Sequence, residues 1–318
     1  MKKIVTILGI AALGLAGCNQ FKKGEGDMLY KIYSDKSGET IKLGDFVAFK
    51  AIEKTEEGDS VLFSSYDYDH SALLVREKSV FKGDLFAALG LLSEGDSASF
   101  KINIDSMTAK MGRPKPTHSK GKYLVYTIKV EKVIPKGKLT DSLFRDKIDV
   151  FLKAEIDKAK TTEDAKLKAY VAAKELKTAA RPSGLHYVVT KEGQGVKAAV
   201  GDTVQVNYTG MFLSGKVFDT SLPEVAKKAG VFNAMRPYEP LKVSVGTHAL
   251  VPGFDEGLML FPKGTKATLV MPSKLAYGEQ GNSGIPPYTP LVFEIEIVNI
   301  IPKAGGVASV PGAKSVKK

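Results

Sequence analysis

A chain of 318 residues, 43% hydrophobic and 25% charged, is long enough for two globular domains and too apolar to be disordered throughout. The formal charge of +11 comes from lysines spread along the chain with no basic-aromatic cluster, so nucleic acid is not the expected partner; a mostly solvated basic surface is the expectation, with acidic partners such as anionic lipid or cell-surface polymers the general alternative. The single cysteine, Cys18, excludes an intramolecular disulfide and a Cys-based metal site, and His70, His118, His186 and His248 show no ligand spacing, so neither a metal nor a cofactor is expected.

In chain order, Lys2 and Lys3 precede an apolar run, Ile4 to Ala16, too short for a comfortable membrane span. It ends in Leu15-Ala16-Gly17-Cys18, followed by polar Asn19-Gln20. This pattern resembles the bacterial lipoprotein signal. The resemblance implies that residues 1–17 are a signal peptide and that Cys18 is lipidated. The mature chain would then be anchored to a membrane rather than spanning it. A cell-envelope address follows as an expectation, at the outer membrane, on its periplasmic or surface face. An ordinary secretory signal with an incidental cysteine is the alternative. Residues 18–26 read as a polar tether.

Residues 27–136 form a first globular region, with strand-like pieces at Phe46–Ile52, Ser97–Ile104 and Leu124–Ile134. Residues 137–182 are rich in Lys, Glu, Asp and Ala. Phe144, Ile148, Phe151 and Leu152 recur at helical spacing, and so do Leu167, Tyr170, Val171 and Leu176. Thr161 with Asp164 reads as a capping box, which predicts two amphipathic helices joined near Lys160–Thr162. Their apolar stripes suit packing against a domain or against a second copy of the chain. Residues 183–302 form the second globular region. Residues 303–318 are Gly, Ala, Ser, Val and Lys with one Pro, and read as a flexible tail.

The two globular regions repeat each other in order. Lys42-Leu-Gly-Asp-Phe-Val47 matches Ala199-Val-Gly-Asp-Thr-Val204, Leu91-Leu-Ser-Glu-Gly95 matches Leu260-Phe-Pro-Lys-Gly264, and Leu124–Pro135 matches Leu291–Pro302. One fold, duplicated, is the expectation.

The second region is the richer in chemistry. Val204, Val206 and Tyr208 alternate with Thr203, Gln205 and Asn207, which predicts a half-buried strand. Leu213-Ser-Gly-Lys216 is a turn, and a short strand then delivers Phe218 and Asp219. Pro240–Gly246 is another alternating strand. Pro252 suits the first position of a short helix that carries Phe254, with Asp255 in its first turn. Ala267–Pro272 is a strand, Leu275–Gly278 a tight turn bearing Tyr277, and 281–290 an irregular loop. Leu291, Phe293, Ile295 and Ile297 alternate inward along the last strand.

The blocks Tyr208-Thr-Gly, Gly215-Lys-Val-Phe-Asp219, Val251-Pro-Gly-Phe-Asp-Glu-Gly257, Ala276-Tyr-Gly278, Gly284-Ile-Pro-Pro287 and Leu291-Val-Phe-Glu294 resemble, in this order, the FKBP-type peptidyl-prolyl isomerase domain. The resemblance covers nearly all of 183–302. It implies an α+β fold, a twisted antiparallel sheet wrapped on one short helix, with two such domains joined by a helical linker. It further implies that Tyr208, Asp219 and Tyr277 are the catalytic residues. Phe218, Leu241, Leu250, Val251, Phe254, Ile285 and Phe293 would bind the substrate, with the Tyr277 phenol and the Val251 N–H meeting ligand carbonyls. The best-known members carry Trp where this chain has Phe254, and Phe where it has Leu241. Arg236, in the long insertion Leu222–Glu239, is a candidate for the family's pocket arginine.

Isomerisation of an X-Pro amide breaks no bond, so it needs no nucleophile, metal or cofactor. The barrier is roughly 18–20 kcal/mol. A dry pocket that favours the twisted, less polar amide is enough to lower it. The expected clients are proline-containing segments of exported proteins. In the first region, Ala51 stands opposite Tyr208, Ser64 or Phe63 opposite Asp219, and Leu85 or Phe86 opposite Phe254. No tyrosine occurs between Met107 and Gly121, where Tyr277 would map. That region is expected to be a degenerate, non-catalytic copy: a spacer, a dimerisation module or a client-binding surface. A homodimer through it or through the linker helices is compatible with this. The competing functions are a peptide-binding chaperone without catalysis and a structural envelope lipoprotein.

Overall fold

The computed structural model describes residues 20–57, 60–68, 70–116, 119, 121–176 and 179–303. The signal segment, Cys18 and the tail from 304 onward, with their expected roles, lie outside the described residues. The chain divides into two compact units, Met1–Tyr66 with His70–Phe144, and Asp67–Asp69 with Arg145–Lys318.

In the first unit the strands are β1 (Lys22–Lys23), β2 (Leu29–Ser34), β3 (Phe46–Thr55), β4 (Val61–Ser64), β5 (Ala72–Val75), β6 (Ser97–Asn103) and β7 (Tyr123–Ile134). A one-turn helix, α1 (Leu85–Leu89), lies between β5 and β6, and α2 (Ile104–Met111) follows β6. The sheet runs β1-β2-β6-β7-β3-β4, with β5 also on β3. Helix α1 is capped by the Asp84 carboxylate, which accepts the Ala87 N–H at 2.9 Å. Its Ala88 and Leu89 are fully buried against Phe100, Ile102 and Ile128.

The linker is one helix, α3 (Asp141–Ala173), and not the expected pair. The Thr161 and Thr162 hydroxyls donate back to the Lys158 carbonyl at 3.1 and 2.8 Å. Both threonines are therefore satisfied within a continuous helix, and Thr161 caps nothing. The unit boundary falls in the first turn of α3, after Phe144.

The second unit contains β8 (Ala179–Ala180), β9 (His186–Lys191), β10 (Thr203–Phe212), β11 (Val217–Thr220), α4 (Pro223–Ala229), β12 (Leu241–Ser244), α5 (Pro252–Leu258), β13 (Lys266–Met271), a 3₁₀ turn (Ser273–Leu275) and β14 (Leu291–Ile301). Its sheet runs β11-β10-β14-β13-β9-β8, with β12 on β10. This is the strand order of the first unit, element for element. The alternation of β14 resolves as expected: Leu291, Phe293, Ile295 and Ile297 are all buried on the face that wraps α5, together with Val204, Val206 and Leu258. Val270 and Val292 point to the opposite face, where α3 covers them with Leu167 and Tyr170. The second of the two predicted stripes is thus a packing face for the second sheet. Helix α4, inside the Leu222–Glu239 insertion, was not foreseen.

Candidate functional site

Strand β10 and strand β11 form the strand-turn-strand unit that the alternation predicts. Thr209 pairs with Thr220 and Gly210 with Asp219, and the register slips before Met211. This brings Tyr208 and Asp219 together: the phenol donates to Asp219 Oδ2 at 2.6 Å. The insertion returns over the pair. Arg236 Nη2 donates to the Tyr208 hydroxyl at 2.9 Å, and Arg236 Nη1 makes a short ion pair with Asp219 Oδ1. The Thr220 N–H donates to the same carboxylate oxygen at 2.8 Å. Burial, and then the Asp219 carboxylate, push the Tyr208 phenol up to about 12. The Asp219 hydrogen bond holds the Arg236 guanidinium above its usual range. Tyr208 is therefore a neutral phenol whose proton is already committed to Asp219.

Beside this triangle opens a cavity of about 370 Å³ lined by Phe218, Asp219, Val231, Tyr277, Gly284 and Ile285, among others. Four of the ten residues singled out from the sequence (Phe218, Asp219, Tyr277 and Ile285) face it directly. Phe254 and Phe293 are 3% and 5% exposed and lie in the core below. The rings of Tyr208, Phe254, Phe293 and Phe218 form a continuous edge-to-face chain, with centroid separations of 5.9, 5.0 and 5.8 Å. Leu241, Leu250 and Val251 are half-buried and pack on the same core. Leu241 stands opposite Val206 on β12.

The backbone accounts for these placements. Asp255, 4% exposed, accepts the Gly246 N–H at 2.7 Å, which ties α5 to the end of β12 and fixes Phe254 beneath the cavity. Gly210 makes the aromatic layer feasible. A Cβ there would stand 2.6 Å from Phe218 and 2.9 Å from Phe293, closer than carbon atoms tolerate. The irregular loop is held by its own backbone. Asn282 and Ile285 exchange two N–H···O bonds of 2.8 Å, and the Tyr288 N–H donates to the Gly278 carbonyl at 2.9 Å. Among the described residues the Tyr277 hydroxyl has no hydrogen-bond partner. No group of three metal-ligating side chains exists among them either.

Sequence reasoning passed over Tyr68, Val217, Val231 and the Asn282–Gly284 tip as lining residues; Tyr68 comes from the short segment Asp67–Asp69 that belongs to the second unit. Alternation along β11 carries a signal for Val217. Val231 lies in the insertion, whose path no periodicity reports.

A half-wrapped antiparallel sheet, a short helix beside an aromatic cavity and a saturated Tyr-Asp-Arg rim together make a concave, mostly apolar site with a few placed polar groups, the usual form of a small-ligand or peptide pocket. Comparison with known proteins agrees. The family model for FKBP-type peptidyl-prolyl cis-trans isomerase matches residues 194–298. The chain is 35% identical over 196 residues to the FKBP-type peptidyl-prolyl cis-trans isomerase FkpA of Escherichia coli (strain K12), covering 58% of this chain and 67% of that protein. It is 40% identical over 120 residues to the FKBP-type 22 kDa peptidyl-prolyl cis-trans isomerase of the same strain, covering 37% of this chain and 51% of the relative. The crystal structure of FkpA from Escherichia coli aligns at 34% identity over 52% of this chain and 76% of the other, with a TM-score of 0.40. The chain belongs to the FKBP-type peptidyl-prolyl cis-trans isomerase family. It is an isomerase that accelerates rotation about X-Pro peptide bonds.

Proposed function

We propose that the second unit performs the isomerisation, with the client proline inserted between Phe218, Tyr277 and Ile285 above the Phe254–Phe293 layer. The observation that carries this reading is the aromatic cavity with the Tyr208–Asp219–Arg236 network at its rim. The cavity removes water from the amide, which disfavours the planar polar form relative to the twisted one. The unengaged Tyr277 hydroxyl and the Val251 N–H are the donors for the carbonyls on either side of the proline. Tyr208 spends its proton on Asp219, so it shapes the wall and orients the carboxylate. Phe254 supplies an apolar floor without the donor that an indole would add.

The first unit is read as a non-catalytic copy. Ala51 N–H donates to Ser65 Oγ at 2.9 Å, as Tyr208 N–H donates to Ser221 Oγ at 3.0 Å, which aligns Ala51 with Tyr208. Glu53 pairs with Phe63 and Tyr126, whereas Gly210 pairs with Asp219 and Phe293. Of the two residues expected opposite Asp219, Phe63 therefore fits. Arg113 forms an ion pair with the buried Glu53 and donates to the Tyr126 hydroxyl at 2.9 Å. A charged, self-satisfied cluster thus stands where the second unit keeps glycine, phenylalanine and space. The Cys18 pattern supports a lipid anchor in the cell envelope and exported, proline-containing clients. A Cys18→Ser chain is expected to leave the membrane fraction on cell fractionation.

The test uses the full chain and a short X-Pro peptide. Asp219→Ala and Tyr277→Phe are each expected to lower kcat/KM by about tenfold or more, since Tyr277 donates to the bound amide and Asp219 holds the Tyr208–Arg236 rim that shapes the cavity. Wild-type rates in both folded variants would remove this cavity as the site.

A further inference from the structure

Helix α3 carries one carboxylate that the cavity does not use and that solvent barely reaches. Glu163 is 8% exposed. Its Oε2 accepts the Ser273 hydroxyl at 2.8 Å, and its Oε1 accepts the Ser273 backbone N–H. Burying a carboxylate is costly unless its oxygens are satisfied, and here both are spent on one serine.

Ser273 is the start of the turn that delivers Tyr277. Its carbonyl accepts the N–H groups of Ala276 and Gly278 at 2.7 and 2.9 Å. The Gly278 carbonyl in turn accepts the Tyr288 N–H at 2.9 Å. One turn before Glu163, Lys160 Nζ stands 5.6 Å over the Tyr288 ring. One turn after it, Leu167 packs on Val270 and Val292. Lys160, Glu163 and Leu167 share a helix face at i, i+3 and i+7. Helix α3 therefore grips both ends of the segment 273–288, which contains Tyr277 and Ile285.

We propose that Glu163 is a positioning residue for the isomerase site. Through Ser273 it sets the placement of the Tyr277 turn, so the linker helix belongs to the active unit and is more than a spacer. The inference rests on Tyr277 acting at the cavity, as proposed above.

The experiment compares full-length variants at a temperature where circular dichroism shows each to be folded. Glu163→Ala is expected to lower kcat/KM for an X-Pro peptide by about tenfold, because a small displacement of a positioned group costs that much. Glu163→Gln keeps an acceptor for the Ser273 N–H and is expected to recover most of the rate. Leu167→Ala loosens the same helix without touching Ser273; it should lower Tm and leave kcat/KM unchanged. Placed on Tyr277→Phe, Glu163→Ala should cost less than about twofold more, the non-additivity of two residues acting through one contact. A folded Glu163→Ala chain with the wild-type rate overturns the inference. So does a loss that persists in full on Tyr277→Phe, which would mean that Glu163 acts by another route. If Glu163→Ala does not fold, Ser273→Ala, which removes only the hydroxyl, carries the same comparison with a smaller expected drop. A wild-type rate in Tyr277→Phe alone would instead overturn the site assignment beneath the inference.

Discussion

Tyr208, Asp219 and Arg236 form a closed triangle in which each polar group has a partner, and its chemistry has a pH signature. The Tyr208 phenol is pushed up to about 12 by burial and by the neighbouring carboxylate, against an ordinary value of 10.0. Above pH 10 the unfolded chain releases this proton and the folded chain keeps it. The stability that depends on the neutral phenol is complete below pH 10 and declines as pH rises toward 12. Wild type is therefore expected to lose more stability than Tyr208→Phe across that window, as measured by denaturant unfolding at stepped pH. Equal losses would mean that the phenol titrates normally. Two members of the triangle were legible in the chain, because a strand and a tight turn bring residues 208 and 219 together by local geometry alone. Arg236 was readable only as a candidate. Its position depends on how an 18-residue insertion folds back, which local pattern does not encode.

Among the elements, helix α3 departs most from the sequence reading. Its apolar stripes were visible, and of the residues named for the second stripe Leu167, Tyr170 and Leu176 belong to the cluster on Val270 and Val292, whereas Val171 does not. The predicted break was wrong, because threonine hydroxyls that cap a helix start can equally bond back to a carbonyl three or four residues earlier, as Thr161 and Thr162 do to Lys158. Glu163 gave no apolar signal, yet it sits on the buried face one turn before Leu167. Burial of Leu167 against Val270 and Val292 predicts that Leu167→Ala destabilises the second unit by about 2–3 kcal/mol, from lost transfer energy plus a residual cavity. Urea unfolding followed by a probe in that unit measures it. A change below about 0.5 kcal/mol would show that the helix is not docked there.

For the molecule as a whole, one strand order is used twice with opposite fillings. In the second unit, Gly210 leaves room that Phe218 and Phe293 occupy. In the first, Glu53 stands at the matching register position, 6% exposed, paired with Arg113. Burial and the Glu53 charge raise the Tyr126 phenol above its usual range, so this cluster holds a neutral phenol beside an ion pair. Glu53→Ala is expected to destabilise the first unit by about 2–3 kcal/mol, discounted because Arg113 retains access to water. Isomerase activity of the full chain should stay within about twofold of wild type. A large loss of activity with the second unit still folded would assign the first unit a part in catalysis.

The strand alternation, the turn residues and the internal repeat were enough to place β3, β6 and β7 of the first sheet and β10 to β14 of the second, because a half-buried strand has to alternate and a turn has to find residues that tolerate it; the outer strands β2 and β9 went unread. The ordered blocks around Tyr208, Asp219, Phe254 and Tyr277 were enough to indicate the isomerase, through their joint resemblance to the FKBP-type family; each block alone reads as core or turn. The course of the insertion was settled only by packing between distant segments, and with it the partner of Asp219. So were the docking of α3 and the hold of Glu163 on the Tyr277 turn. Such contacts join residues far apart in the chain, Lys160 with Tyr288 and Glu163 with Ser273 among them. Their free energy comes from desolvating both partners at once, and neither partner's neighbourhood in the chain carries a record of the other.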